Sequence, residues 1–383
     1  MRDLALIAGA AVAGIVGWSG VTLLLPASLV FPVLWSTARS RLLAAGISAA
    51  YFLGASRGLP QGVESFFETG IGLGILLWVG ASAAFVAIHA IFWSPGNGAI
   101  KAGGFALASF LMAVPPFGIV GWAHPVTAAG AILPGTAWVG LAVTVAGMLV
   151  LTTRLWWVSA AIFGAAWLWS STTWSPPPTL QGWRGVDMTM GATLGRRADL
   201  DHHRALLETV RRSAQDGART IVLPESVFGL WTPTISRFWS EQLRQDGLTV
   251  IGGAAMVDPG GYDNVLIEVD GHGSRVVYRE RMPVPVSMWQ PWRTWFGTSG
   301  GARAYIFANP VTTIAGKRIA PLICYEQLIV WPVLQSMLHD PAAIVAVGNG
   351  WWTSGTSIVA IQQASVEAWA RLFDRPLVTA FNL

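Results

Sequence analysis

The chain changes character near residue 172, and that break limits its fold more than any motif does. Up to that point the charged residues are Arg2, Asp3, Arg39, Arg41, Arg57, Glu64, Glu68, Lys101 and Arg154, whereas nearly all the acidic residues follow it. The mean hydropathy of +0.52 therefore describes the first half and not the whole chain. Apolar stretches at 4–20, 21–36, 42–56, 69–93, 103–123, 128–151 and 155–171 predict about seven membrane helices, since a bilayer core takes about 20 apolar residues, with a range of roughly 17–25. One buried soluble core does not call for so many long apolar runs. The first stretch is not read as a cleavable signal, because further apolar runs follow it.

Arginine and lysine placement gives an orientation. With Arg2 inside, two spans bring Arg39 and Arg41 back inside, and Lys101 and Arg154 follow in turn; Arg57 alone is misplaced. The expected location is a bacterial inner membrane, crossed several times, with the domain after the last span in the periplasm. The aromatic residues Trp156, Trp157, Trp167, Trp169 and Trp174 fit an interfacial belt. A net charge of +4 without a basic cluster or aromatic ladder gives no support for nucleic-acid binding.

Residues 1–172 are thus expected to form the membrane domain, 173–184 a stiff Pro-rich linker, and 185–383 a globular domain. In the last, β-type runs at 220–223, 248–251, 265–269, 275–278, 319–324, 343–347 and 377–380 alternate with helical stretches at 199–216, 234–246, 326–338 and 357–373. The segment Asp270-Gly271-His272-Gly273 reads as a hairpin turn. This is an α/β pattern with the sheet in the core.

Two strand ends carry chemistry. Cys324, the only cysteine, closes Ile319-Ala320-Pro321-Leu322-Ile323, and Glu225 follows Ile221-Val222-Leu223-Pro224. A lone thiol packs as a small hydrophobe or serves as a nucleophile. A carboxylate at the neighbouring strand end is placed to take its proton and return it. His202 and His203, about 100° apart on a helix, make a poor shared metal site and read as a solvated face. His89, inside an apolar stretch, is a candidate lipid or proton contact. No metal or cofactor is expected.

The order of motifs resembles the nitrilase (carbon–nitrogen hydrolase) superfamily: Leu223-Pro224-Glu225-Ser226, Tyr278 through Pro285, Leu322-Ile323-Cys324-Tyr325-Glu326, Gly348-Asn349-Gly350-Trp351-Trp352 and Arg375-Pro376-Leu377. With the preceding apolar runs, the chain resembles the apolipoprotein N-acyltransferases and, over its layout, a group of plasmid conjugal-transfer proteins. The resemblance implies an αββα sandwich with a Glu–Lys–Cys triad. In it Glu225 matches the general base, Cys324 the nucleophile and Glu326 a supporting carboxylate. The family lysine follows two residues after the motif tyrosine, Tyr278, and that position holds Glu280. Lys317 is the only lysine of this half, in a turn before the cysteine strand.

Strand alternation puts Glu280 on the face of Tyr278, with Arg279 and Arg281 opposite. Tyr278, Arg281, Tyr325, Trp351 and Trp289 are candidate substrate contacts. The aromatic run Trp289, Trp292, Trp295 and Phe296 is expected either to pack or to dip into lipid. Two readings follow. One is a membrane enzyme moving an acyl or amide group on a lipid or lipoprotein, in concert with other conjugal-transfer proteins. The other is a catalytically impaired assembly component that keeps the fold.

Overall fold

The computed structural model describes residues 1–191, 200–215, 217–298 and 300–383. They form two compact units. The first comprises Met1–Pro177, Leu328–Trp331 and Trp352–Asp374, and the second Pro178–Gln327, Pro332–Trp351 and Arg375–Leu383.

The first unit is helical: α1 (Arg2–Gly17), α2 (Val30–Thr37), α3 (Arg41–Ala55), α4 (Leu59–Phe67), α5 (Ile71–Ile91), α6 (Gly98–Ala113), α7 (Ala129–Ile132), α8 (Ala137–Leu151) and α9 (Trp156–Thr172). Helices α1 and α3 pack closely because small residues line their contact. A side chain at Gly14 would sit 2.2 Å from the Tyr51 carbonyl oxygen, so the two backbones touch where only glycine fits. The Tyr51 hydroxyl donates to the Ala123 carbonyl and accepts from Trp18 Nε1, so the buried phenol is satisfied.

The seven apolar stretches do not become seven helices of spanning length. Among the described residues only α5 is long and apolar enough alone, at 21 residues or about 31 Å. The pair α3 and α4, bent by 54°, makes a second span if taken together. Elsewhere the helices are shorter, α1 having 16 residues and α9 having 17. The second stretch begins as a 3-10 turn, Thr22–Leu29, that contains Pro26 and runs into α2, 16 residues in all, and α6 and α8 have 16 and 15 residues, short of the roughly 30 Å core. His89 packs inside this unit, its ring 4.3 Å from that of Phe85 and its Nδ1 at 2.9 Å from the Phe85 carbonyl.

The second unit holds two sheets. One has the order β1 (Trp183–Gly185), β2 (Thr220–Val222), β3 (Thr249–Asp258), β4 (Gly261–Asp270), β5 (Gly273–Arg279). The other has the order β6 (Thr312–Ile314), β7 (Lys317–Ile323), β8 (Ala343–Asn349), β9 (Leu377–Asn382), with β7, β8 and β9 parallel. Alternation along each strand builds two cores. Ile221, Val250, Ala254, Val265 and Ile267 face outward to α10 (Leu200–Ala214) and α11 (Pro233–Leu243), which contribute Leu206, Val210, Trp239 and Leu243. Val222, Ile251 and Leu266 face the other way, onto Ile319, Ile323, Val345, Val347 and Ala380 of the second sheet. The central strands β2, β3, β4, β7 and β8 are therefore apolar on both faces, whereas β1, β5 and β6 at the margins carry exposed polar residues.

The expected elements are present, with their ends moved. The predicted helix 199–216 is α10; positions 199 and 216 lie outside the described residues. The hairpin at Asp270 joins β4 to β5, with Asp270 opposite Gly273. His203 is not on a solvated face: it is fully buried, and its Nδ1 accepts from Trp239 Nε1 at 3.1 Å. Two more helices complete the chain, α12 (Val330–Met337) and α13 (Ile358–Leu372). By its contacts α13 belongs to the first unit, where Gly130 lies against the Ala368 backbone and the Gly135 N–H donates to the Arg371 carbonyl.

Candidate active site

The thiol and the carboxylate meet in the second unit because β2 and β7 end at the same edge of the sandwich. β7 (Lys317–Ile323) places Ile319 and Ile323 in the inter-sheet core, and Cys324 follows directly, 5% exposed. Its φ is +46°, a left-handed conformation that costs a non-glycine residue about 1–3 kcal/mol. Residue 226, next to the carboxylate, has φ +60°. Glu225 and Cys324 thus both stand at abrupt turns out of their strands, where the backbone cannot run straight on.

Glu225 is held close over β3. The Gly253 N–H donates to the Pro224 carbonyl and the Phe228 N–H to the Gly253 carbonyl. A Cβ at Gly253 would lie 2.4 Å from the Ser226 nitrogen and 2.5 Å from the Glu225 Cα. Gly253→Ala is therefore expected to displace Glu225. Misplacing a catalytic group by about 1 Å costs about a hundred-fold in rate. Acylation of Cys324 followed by mass spectrometry checks this, with retained tryptophan fluorescence as the control for folding.

The Glu225 carboxylate accepts from the Cys324 thiol, from the Asn349 backbone N–H and, at 2.8 Å on Oε1, from Asn264 Nδ2. Burial pushes its pKa up from the ordinary 4.5 to about 7; the Asn264, Cys324 and Asn349 hydrogen bonds oppose that rise and the charge of Glu326 adds to it. A base poised near neutrality, bonded to a thiol, is matched to proton transfer.

Glu280 occupies the position of the family lysine and is fully buried. Its Oε2 accepts from the same Asn264 Nδ2, again at 2.8 Å. A β-bulge brings it there. Leu266 pairs with Tyr278 and Ile267 with Val276, so Val277 is the extra residue, and Val277 and Tyr278 both face the core. Arg279 then points out to Asp263 at 3.0 Å, and Glu280 points in. Burial, followed by the charges of Glu225 and Glu326, holds Glu280 well above the usual carboxylate range.

Arg281 departs from strand alternation. β5 ends at Arg279, the chain bends, and the Arg281 guanidinium is fully buried. Its Nε donates to the Tyr278 hydroxyl at 2.8 Å, Nη1 to the Pro332 carbonyl and Gln335, and Nη2 to the Pro321 carbonyl and Ser336. All five donors of the fork are engaged, so none is left to replace the lysine. Its partner is Glu326, with Nε 3.7 Å from Oε1. Glu326 also accepts from the Tyr278 hydroxyl and from the N–H groups of Arg281 (2.6 Å) and Ile323 (2.7 Å). Burial raises its pKa while Arg281 and these donors favour the charged form. A carboxylate so enclosed clamps the turn after β5 to the turn at Cys324.

Glu225, Glu280, Cys324 and Glu326 are thus brought together. Tyr278 and Arg281 face Glu326 and not an open cavity. Tyr325 is buried, Trp351 half-buried just past the end of β8, and Trp289 half-buried in the loop after Glu280, where its N–H donates to the Val284 carbonyl. Metal-binding groups among the described residues form no cluster of three. Asn264 was missed at the sequence level. Its signal is a carboxamide at the head of the apolar run Val265–Val269, where strands disfavour it. Asn349 was quoted only as part of a motif; it ends β8, and its side chain accepts from Asn382 at 2.8 Å.

Residues 79–371 match the profile of the carbon-nitrogen hydrolase family. A conjugal transfer protein TraB of Agrobacterium fabrum is 58% identical over 379 residues, covering 96% of this chain and 90% of the relative. A probable conjugal transfer protein TraB of Sinorhizobium fredii is 55% identical over 371 residues, covering 97% and 96%. An amidase from Nesterenkonia sp. is 15% identical, with a TM-score of 0.38 over 53% of this chain and 78% of that one; the assignment rests on the family profile and the two near-full-length relatives. The chain belongs to the carbon-nitrogen hydrolase family.

Proposed function

We propose that this chain is a membrane-embedded enzyme of plasmid conjugal transfer, which uses Cys324 to transfer or hydrolyse an acyl or amide group of a lipid or lipoprotein. The observation that carries the chemistry is the Glu225 carboxylate accepting from the Cys324 thiol at two strand ends of one unit. The names of the two near-full-length relatives support the biological setting and other transfer proteins as partners.

Exposed apolar side chains support the lipid setting. Leu73, Ile75, Leu76 and Val79 on α5 face outward, as do Trp157, Ile162, Leu168 and Trp169 on α9. In the second unit Trp295 and Phe296 are 82% and 79% exposed in the loop that follows Glu280, where an acyl chain would be received. The charge placement read from the sequence supports several crossings and a periplasmic second unit.

The Glu280 carboxyl at the lysine position favours a second reading, an impaired assembly component that retains the fold. Donor cells lacking the gene and complemented with Cys324→Ala separate the two. Transfer frequency is expected to fall to that of the uncomplemented strain while the protein is still present in the membrane fraction. Transfer at the wild-type frequency would end the enzyme reading and leave the assembly role.

A further inference from the structure

We propose that Glu280, as a neutral carboxylic acid, donates the hydrogen bond to the oxyanion that forms at Cys324, in the place where the family pattern has a lysine. This rests on the enzyme reading above and assigns the group that completes its site.

The geometry locates the proton. Asn264 Nδ2 carries two hydrogens and spends one on Glu225 Oε1 and the other on Glu280 Oε2, each at 2.8 Å. The two carboxyl oxygens are therefore no more than twice 2.8 Å apart, and Glu280 Oε2 is committed as an acceptor. A proton on Glu280 rests on Oε1, which is buried and has no partner among the described residues. It is an unspent donor on the carboxyl that shares Asn264 with Glu225, the acceptor of the thiol.

The surrounding charges are consistent with a neutral acid. Glu225 faces it from the end of β2 and Glu326 from the turn after β7, with Asn264 on β4 between the first pair. The nearest buried cation, Arg281, spends its donors on Tyr278, two carbonyls, Gln335 and Ser336. Burial and those two carboxylates raise the proton affinity of Glu280 strongly. A carboxylic acid kept neutral by its site is a competent donor to a developing oxyanion.

The step balances without another reagent. The thiol proton passes to Glu225 as sulfur bonds to the carbonyl carbon, and the carbonyl π pair moves to oxygen, which accepts from Glu280 O–H without taking its proton. The carbonyl re-forms as the bond to the leaving nitrogen or oxygen breaks, and Glu225 returns the proton to that atom. Water or an acceptor amine then releases the thioester by the same route, its proton going to Glu225.

Two reagents test this on the full-length protein, whose single cysteine makes the adduct unambiguous by mass. Acetylation by p-nitrophenyl acetate passes through an oxyanion; alkylation by iodoacetamide does not. Glu280→Leu is expected to slow acetylation roughly a hundred- to a thousand-fold, while alkylation slows by less than about three-fold, the lone thiol losing no base. Glu280→Gln keeps an acceptor for Asn264 and an N–H at the Oε1 position, and should hold acetylation within about ten-fold of wild type. The ratio of acetylation to alkylation should fall with rising pH in the wild type, as Glu280 ionises, and stay flat in Glu280→Gln. Acetylation unaffected by Glu280→Leu, or both reactions slowed equally, overturns the assignment of the donor while leaving the enzyme reading intact. A wild-type protein that is not acetylated, or is acetylated independently of Glu225, overturns both, and is recognised without any change at 280.

Discussion

Glu225→Gln is expected to slow acylation of Cys324 by roughly a hundred- to ten-thousand-fold, the contribution of a positioned general base. The amide still accepts from Asn264 and fills the same space, so the change removes proton affinity more than it removes packing. In the wild type the rate should rise with pH through about 7, because Glu225 must lose its proton before it can take that of the thiol. In Glu225→Gln that inflection should vanish, leaving only the rise that follows thiol ionisation. Acylation rates between pH 5 and 9 measure both, and an unchanged rate with an unchanged inflection would remove Glu225 from the mechanism.

The same shift has a consequence for stability, opposite in sign to that of a salt-bridged carboxylate. The folded form holds the Glu225 proton up to about pH 7, whereas the unfolded form loses it near the ordinary 4.5. Folding therefore binds a proton in that window, and this contribution declines as pH rises from about 4.5 to 7. Glu225→Gln should flatten the fall, read as melting temperature against pH. Burying a carboxyl beside a second one is a stability cost retained at a reactive centre.

Much of the second half was legible because its strands are short apolar runs separated by turn chemistry. The pairing of Cys324 with Glu225 followed from two strand ends that each carry a reactive group. What alternation could not supply was the phase of β5. The extra Val277 shifts the face of every later side chain, and a bulge leaves no mark in the run Arg275-Val276-Val277-Tyr278. Nor did pattern reveal that the chain bends at 281, which turns Arg281 from an outward residue into the most enclosed cation of the site. In the first half, hydropathy located apolar runs but not their interruptions: α3 breaks into α4 around Arg57 and Gly58, and the second run begins as a 3-10 turn. Nothing in composition places α13 with the first unit, since its fifteen residues are buried on nearly every side and show no single apolar face.

Arg281→Met carries the largest expected effect on stability, about 3–5 kcal/mol, because it leaves the buried Glu326 carboxylate without its counter-charge. It also strips donors from the Pro332 and Pro321 carbonyls and from the Tyr278 hydroxyl, so the turns after β5 and β7 lose their common anchor. Lysine should not restore it. An ammonium has three donors on a flexible stem, whereas five directed N–H groups are used here. Removing the partner as well should recover much of the loss: in Arg281→Met/Glu326→Gln the uncompensated charge is gone, and the amide oxygen can still accept from one of the two backbone N–H groups, of residues 281 and 323, that the two Glu326 oxygens take separately. Urea unfolding of the two single variants and the double variant measures the coupling. A double variant no more stable than Arg281→Met would mean that the guanidinium acts through packing and not by neutralising Glu326, and that the clamp behind Cys324 is steric.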